Sequence, residues 1–200
     1  HGHMVWLDTN LQQMLVDESL LNIGFYIERW QEIEDMEDEM KRLRAYVNEH
    51  LWDERTAFLY DRYGDGMLCT TKGSGAFWAL QADALDRERL DRMVAHLSDT
   101  TESDRPHRVP SLSADHPKYN PLGRYWQGGV WPGTNYMTID GLYRKGYHDL
   151  AREIAANHYA AVFEVWKNTG TFWEYYAPEK LEPGFMARKD FVGWTGLPPI

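Results

Sequence analysis

Apolar residues recur at helical spacing over the first quarter of the chain. Residues 9–30 begin with Thr9 and, three residues later, Gln12, a capping-box pattern that predicts a helix start. The apolar residues that follow lie near one face of that helix: Leu11, Met14, Leu15, Leu21 and Phe25. Residues 34–52 repeat the pattern with charged residues on the opposite face, and their apolar positions are Met36, Met40, Leu43, Val47 and Leu51. Both stretches predict amphipathic helices.

Further stretches carry helix signals at their ends. Asp86 is a predicted N-cap for residues 87–97, whose apolar face consists of Leu90, Met93, Val94 and Leu97. Residues 131–147 place Pro132 in the first turn and Gly146 near the end, the asymmetry that helices favour. The next helix ends at Gly170, and its inward residues are Leu150, Ile154, Ala161 and Val165. A shorter helical stretch covers residues 74–82.

Two stretches interrupt the helical pattern. Residues 56–71 contain two short β-like runs around a turn at residues 64–66, which predicts a small peripheral hairpin. Residues 99–123 are rich in Pro, Ser, Asp and His and predict a long ordered loop, a feature that is uncommon unless it has a function. The whole pattern predicts an all-α fold of about six helices joined as antiparallel hairpins. We expect one helical domain over residues 5–200, after a cloning scar in residues 1–4.

The composition is that of a globular chain, with 43% hydrophobic and 26% charged residues. The formal net charge of −10 argues against nucleic acid and membrane surfaces as partners, because both are anionic and attract basic proteins. No apolar run approaches the roughly 18 residues of a spanning helix. Cys69 is the single cysteine, so no internal disulfide can form, and a cytoplasmic location is the default expectation. The histidines lack zinc-ligand spacing, so no metal or other cofactor is expected.

Aromatic residues make up 14% of the chain and include nine tryptophans. This content is compatible with a bulky core, and also with a sugar site, since pyranose rings stack their C–H faces on aromatic rings. Two clusters lie at junctions between loops and helices, where binding sites are often built: RYWQGGVW at 124–131 and TFWEYYAPE at 171–179. In the first, Gly128 and Gly129 permit close backbone approach, and Gln127 offers an amide that donates and accepts. The cluster suits hydroxyl recognition or a tight helix entry with Trp126 and Trp131 in the core.

Glu174 lies between Trp173 and Tyr175 in the second cluster. It is either an exposed loop charge beside two buried rings or an acid held in a partly apolar pocket. An apolar pocket raises the pKa of a carboxyl group by desolvation and nearby donors lower it, so such a glutamate can be tuned for acid or base chemistry. Inverting glycoside hydrolysis needs a general acid and a general base separated by about 6.5–9.5 Å.

Three segments, in this order and at these spacings, resemble the C-terminal half of the (α/α)6-barrel hydrolases of glycoside hydrolase family 63: YWQGGVWPGTNYMTIDGLYRKGY, TGTFWEYYAPE and PGFMARKDFVGWTGLPPI. The similarity is specific from about residue 110 to residue 200. Upstream it is weaker, where VWLDTNLQQMLVDE resembles the helix after the family's aspartate-bearing loop. The family contains processing α-glucosidases and mannosylglycerate or glucosylglycerate hydrolases, and is related to trehalases.

The resemblance implies an inverting, exo-acting α-glycosidase whose general base is Glu174. It also implies an aromatic sugar subsite lined by Tyr125, Trp126, Gln127, Trp131 and Trp194. The family's general acid is an aspartate in a short loop rich in glycine and asparagine, and that loop is not found here. Asp8 is the nearest acid in chain position, although the matching family aspartate looks structural. Asp115 and Asp140 are weaker candidates, and we expect Glu179 and Asp190 to fix loops.

Two classes of function stay open from the sequence. The first is a glycoside hydrolase acting on a saccharide or glycosyl conjugate. The second is a non-catalytic helical module for sugar binding or assembly, because the general acid loop is missing. The resemblance covers about half of a toroid, which would expose an apolar inner face. We therefore expect a homo-oligomer that buries this face.

Overall fold

The computed structural model describes residues 3–196, and the part it describes is mainly helical. Its α-helices are α1 (Leu7–Tyr26), α2 (Trp30–Tyr46), α3 (Arg87–Val94), α4 (Pro132–Arg144) and α5 (His148–Thr169). Short 3₁₀ segments span Ser74–Leu80, Ala95–Ser98 and Trp194–Gly196, and a π-helical turn, Val47–Leu51, continues α2. The strands are two residues long: β1 (Met4–Val5), β2 (Trp52–Asp53), β3 (Phe58–Leu59) and β4 (Arg62–Tyr63).

Three helical segments lie side by side, with the Ser74–Leu80 segment packed against both α1 and α4. A Cβ on Gly75 would lie 3.5 Å from the Cβ of Asp8, which places the start of the Ser74–Leu80 segment beside the start of α1. A Cβ on Gly141 would lie 2.6 Å from the Cβ of Leu80, which places the end of the same segment beside the end of α4. Ser111 accepts from the Ser74 N–H and donates to the Gly129 carbonyl, just before α4, so the N-terminal ends of α1, the Ser74–Leu80 segment and α4 share one rim, which we call the N-terminal rim. Helices α2 and α5 pack against α1 and α4 as their hairpin partners.

The predicted helix ends are confirmed for the later helices. The Asp86 carboxylate accepts a hydrogen bond from the backbone N–H of Arg89 at 2.9 Å and so caps α3. Pro132 is the first residue of α4, and Gly170 ends α5 in a left-handed conformation with φ 73°. These signals act over a few residues, which is why they could be read from the sequence alone.

The predicted start of α1 is wrong. The helix begins at Leu7 instead of after Thr9, and Thr9 lies within its first turn. The Leu7 N–H donates to the Asp61 carboxylate at 2.7 Å, so the first turn is capped from a segment that is distant in sequence. The apolar face also ends early, because Phe25 is exposed. Met4 lies within the predicted cloning scar at residues 1–4, but it pairs with Tyr63 in the short sheet of β1 and β4.

The hairpin region is not peripheral, contrary to the sequence prediction. Strands β2 and β3 pair in antiparallel register, and Arg62 bridges to Leu68 around the predicted glycine turn. However, Phe58, Leu59 and Tyr60 are almost fully buried and belong to the main core, together with residues of α1 and α3. Burial of three large side chains makes this region a part of the hydrophobic core instead of a surface addition.

The predicted loop over residues 99–123 is ordered and continues to the start of α4. No helix or strand with more than an isolated bridge is found between Ser98 and Pro132 in the described chain. His107, Arg108 and Ser111 are buried in it, and the Arg108 guanidinium is held by Asp104, by Glu153 and by the carbonyl of Leu97. Within residues 3–196, no helix is both long and apolar enough to cross a membrane.

Candidate functional site

The centre of the candidate site is a stack of three aromatic rings at the N-terminal rim. Trp126 and Trp131 stack with ring centroids 4.3 Å apart at an interplanar angle of 11°. Tyr175 also stacks on Trp131, with the ring centroids 4.6 Å apart at an interplanar angle of 27°. Trp131 is only 4% exposed, whereas Trp126 is 49% exposed. The stack therefore exposes the Trp126 indole and buries the Trp131 indole. Trp131 lies in the core, as expected for a tight helix entry, whereas Trp126 remains at the surface, as expected for hydroxyl recognition.

Glycine at two consecutive positions makes this stack possible. A Cβ on Gly129 would lie 2.4 Å from the Tyr125 carbonyl oxygen and 3.0 Å from the Tyr175 ring. Gly128 has φ +109°, a conformation that other residues rarely adopt. Tyr125 has a positive φ of 48°, and its carbonyl accepts hydrogen bonds from the Gly129 N–H and the Trp131 indole. The sequence correctly predicted close backbone approach at this glycine pair.

Glu174 is half-buried beside the stack. Its backbone N–H donates to the Arg188 carbonyl at 3.0 Å, and its carbonyl accepts from the Trp194 indole N–H at 2.9 Å. Among residues 3–196, no donor bonds the Glu174 carboxylate. The backbone of this residue is thus fixed on both sides, while its carboxylate stays available to a water molecule or a ligand.

An antiparallel backbone pair brings the two aromatic clusters together. The Val130 N–H donates to the Tyr176 carbonyl, and the Tyr176 N–H donates to the Val130 carbonyl, both at 2.9 Å. Trp131 and Tyr175 are their chain neighbours, and Glu174 is one residue further along. Tyr175 is a site residue that was not predicted from the sequence. Its position next to Glu174 was the available signal, but its stacking on Trp131 depends on the backbone pair.

Trp194 and Gln127 complete the predicted aromatic subsite in different ways. The Trp194 and Trp131 ring centroids are 5.8 Å apart, and Trp194 lies beside Gly133 at the start of α4, where a Cβ would approach it to 3.5 Å. Gln127 is exposed, and its backbone closes the turn by accepting from the Asn120 N–H and donating to the Arg124 carbonyl. Its side-chain amide therefore lies at the surface beside Trp126.

Asp8 lies elsewhere on the same rim, in a cleft of about 260 Å³ at the start of α1. The cleft is also lined by Trp6, Asp61, Thr71 and Gly75. One Asp8 oxygen accepts from the Thr9 N–H at 2.8 Å, as expected of an acid in the first turn of a helix. Burial raises the pKa of Asp61, the Leu7 N–H opposes this shift, and the charge of Asp8 adds to it.

Buried Ser111 connects the two parts of the rim. Its hydroxyl accepts from the Gly128 N–H at 3.2 Å, and its N–H donates to the Gly129 carbonyl at 3.0 Å. Its own carbonyl accepts from the Ser74 N–H, next to Gly75 and the Asp8 cleft. The predicted long loop therefore holds the turn at residues 124–129, which we call the aromatic turn, and the start of the Ser74–Leu80 segment in one arrangement.

The other acids named from the sequence are bonded to protein groups. Asp115 pairs with Lys72, and Asp140 pairs with Arg144 on the surface of α4. Asp190 accepts from the Thr171 hydroxyl at 2.7 Å. Glu179 accepts from Arg105 and from the Tyr119 hydroxyl, and the Arg105 hydrogen bond lowers its pKa. In the described part of the chain, no group of three or more metal-ligating side chains is found.

The chain matches a family model described as the mannosylglycerate hydrolase MGH1-like glycoside hydrolase domain over residues 2–191. It is 30% identical over 183 residues to a probable mannosyl-oligosaccharide glucosidase of Schizosaccharomyces pombe, covering 80% of this chain and 22% of that protein. It is 31% identical over 157 residues to a mannosylglycerate hydrolase of Rubrobacter radiotolerans, covering 74% of this chain and 33% of that protein.

A solved structure of a family 63 mannosylglycerate hydrolase from Thermus thermophilus, in complex with Tris, has a similar fold. The TM-score is 0.83 at 23% identity, over 98% of this chain and 45% of that one. The all-α fold with toroid-like helical hairpins is therefore confirmed. The chain spans between 22% and 33% of the length of three curated relatives that it matches.

Proposed function

Because this chain belongs to the mannosylglycerate hydrolase MGH1-like family of glycoside hydrolases, within glycoside hydrolase family 63, we propose that it is part of an inverting, exo-acting α-glycosidase. In this proposal Glu174 is the general base that activates the attacking water. One observation supports this role most directly: Glu174 is half-buried, and its carboxylate accepts no hydrogen bond from a donor among residues 3–196. A general base needs such a free carboxylate within reach of water.

The aromatic stack supports a sugar ring as the neighbour of this base. Trp126 offers an exposed indole face, and Trp194 holds the Glu174 carbonyl while its own ring stays 39% exposed. Tyr125 is also exposed, and the amide of Gln127 can donate to and accept from hydroxyl groups. Apolar faces for the C–H side of a pyranose, combined with a few polar groups, are the usual elements of a carbohydrate pocket.

Asp8 is the proposed general acid. Its support is weaker than that for Glu174, because it rests only on the position of Asp8 on the N-terminal rim. Its second oxygen lies near Gly75, where a Cβ would approach it to 4.0 Å, so the glycine keeps the cleft open on that side. In an inverting enzyme, the acid protonates the leaving oxygen from across the sugar ring. If Asp8 does not serve this role, another acid must supply the proton, and Asp61 lines the same cleft.

The substrate class that we propose is an α-glucoside or α-mannoside, including glycerate conjugates. The names of the relatives, a mannosyl-oligosaccharide glucosidase and mannosylglycerate hydrolases, support this range. The cytoplasmic location suggested by the sequence stays a prediction.

The deciding experiment is hydrolysis of a panel of α-glucosides and α-mannosides, with the released anomer followed by NMR. We expect an inverted product from the wild-type chain, and a loss of about 10³-fold or more in Glu174→Gln, since the base is removed while the shape is kept. Glu153→Gln is the matched control, because Glu153 is an exposed, ion-paired acid on α5, and we expect it to retain activity. Asp8→Asn tests the acid.

Retained activity in Glu174→Gln would refute the assignment of the base. Retained anomeric configuration would refute inversion. No turnover by the folded wild-type chain, combined with binding of the sugars, would favour the non-catalytic sugar-binding module.

We also propose that the chain assembles as a homo-oligomer. Two groups of exposed large apolar side chains on the helices support this proposal. The turn between α1 and α2 exposes Phe25, Tyr26, Ile27 and Trp30, and one stripe of α5 exposes Tyr159, Phe163 and Trp166. Exposed apolar patches of this kind typically mark interfaces. Light scattering after size exclusion should give a dimer or larger species, and a monodisperse monomer would contradict this proposal.

A further inference from the structure

A second acid, Glu179, forms a compact network five residues after Glu174. Its two carboxylate oxygens accept from the Arg105 guanidinium, Oε1 from Nε at 2.6 Å and Oε2 from Nη2 at 2.9 Å. The Tyr119 hydroxyl donates to Oε1 at 2.7 Å. The side chains of Glu179 and Arg105 are only 22% and 23% exposed, so these charge-assisted bonds are shielded from most of the solvent.

Tyr119 carries this network to the aromatic turn. Its ring lies directly against Gly128, where a Cβ would approach the ring to 2.8 Å. The next residue, Asn120, donates its N–H to the Gln127 carbonyl at 2.8 Å. The turn that presents Trp126 and Gln127 therefore rests on the Tyr119 ring and on the adjacent backbone. Gly128 is required here because any side chain would displace that ring.

The turn is thus attached twice to the segment that carries Glu174. One attachment is the backbone pair between Val130 and Tyr176. The other runs from the turn through the Tyr119 ring to Glu179. The segment between the attachments is itself fixed, because the His107 N–H donates to the Pro178 carbonyl at 2.8 Å. The Tyr119–Glu179 attachment supports the side of the turn that carries Trp126 and Gln127, whereas Ser111 and the Val130 backbone pair hold its Gly128–Gly129 end.

We propose that Glu179 is a positioning residue which, through the Tyr119 hydroxyl, fixes the turn bearing Trp126 and Gln127 relative to Glu174. Glu179 does not contact the reacting atoms in this scheme. It sets the angle at which the exposed indole and the amide meet the sugar, so it acts on substrate binding more than on the chemical step. For its effect on turnover, this inference rests on the proposed glycosidase function.

The variants that test it are Tyr119→Phe, which removes a single hydroxyl, and Glu179→Gln, which removes the charge. Glu153→Gln is the matched control, because Glu153 also pairs with an arginine but lies on α5, away from the turn. The first readout does not need activity. The stacked Trp126 and Trp131 rings should give a coupled near-ultraviolet circular dichroism signal, which Trp126→Phe assigns by abolishing it.

We expect both test variants to lose at least about half of this signal and to raise KM about tenfold, the effect of losing one hydrogen bond to a charged group. The value of kcat should stay within about threefold of wild type. The double variant should be no worse than Glu179→Gln alone, because the two residues act in series. Glu153→Gln should change none of these quantities.

An unchanged tryptophan signal in folded Tyr119→Phe would overturn the inference, whatever the activity. A fall in kcat at constant KM would also overturn it, because Glu179 would then act on the chemical step. If the wild-type chain hydrolyses no glycoside, the proposed function fails, but the circular dichroism measurement still decides whether Glu179 positions the turn. If Glu179→Gln does not fold, Tyr119→Phe decides alone.

Discussion

The buried pair His107 and His158 should make the protein sensitive to mild acid. His107 Nε2 and His158 Nδ1 are 2.7 Å apart, and the side chains are 1% and 3% exposed. Burial lowers the pKa of His158 to about 3. Burial, with the neighbouring imidazole, also lowers the pKa of His107 well below its ordinary value. Both rings are therefore neutral in the folded chain at pH values where an unfolded chain protonates them.

The sign and size of the effect follow from linkage. Because the folded pKa values are depressed, the contribution to stability is complete above about pH 6.5, the unfolded pKa, and is lost as the pH falls toward the folded values. At pH 5 the unfolded state gains about 2 kcal/mol from each histidine, or about 4 kcal/mol from the pair. This is a large part of the about 5–15 kcal/mol that stabilises a typical domain.

The assay is urea unfolding at several pH values between about pH 5 and pH 7.5, where the slope is about 1.4 kcal/mol per pH unit for each histidine below its unfolded pKa. We expect His158→Asn to lose about half of the wild-type slope that the pair provides, since one titrating group remains. His148→Gln is the control, because His148 is exposed, and it should keep the full slope. Equal slopes for His158→Asn and wild type would refute the reasoning.

Four further substitutions test other parts of the structure. Gly129→Ala should abolish glycoside turnover and the coupled tryptophan signal, because its Cβ would lie 2.4 Å from the Tyr125 carbonyl oxygen. A Cβ on Gly170 would contact no other atom, so Gly170→Ala should only lower the melting temperature, through its positive φ. Normal activity in Gly129→Ala as well as in Gly170→Ala would contradict this prediction. Phe58→Ala should lower the free energy of unfolding by about 3–5 kcal/mol in urea titrations, and a loss below about 1 kcal/mol would mean that the hairpin is peripheral after all. Asp86→Ala should cost about 1 kcal/mol by the same measurement, and no loss would mean that water replaces the cap of α3.

Glu174 shows how far local sequence could lead toward the site. The sequence placed it among aromatic residues and left two readings open, an exposed loop charge or an acid in a partly apolar pocket. The structure holds its backbone with the Arg188 carbonyl and the Trp194 indole. These partners are 14 and 20 residues away along the chain, so no local pattern could have named them.

The sequence by itself determined the elements whose signals are local. The spacing of Leu90, Met93, Val94 and Leu97, the Asp86 cap and the Gly170 stop each act within one or two helical turns, so they could be read from neighbouring residues. Only the tertiary structure decided which distant segments meet. Asp61 capping α1, Phe58 entering the core and Tyr175 stacking on Trp131 all join residues that are tens of positions apart. Such contacts have no period along the chain, because they arise when several elements pack together and bury their surfaces at once.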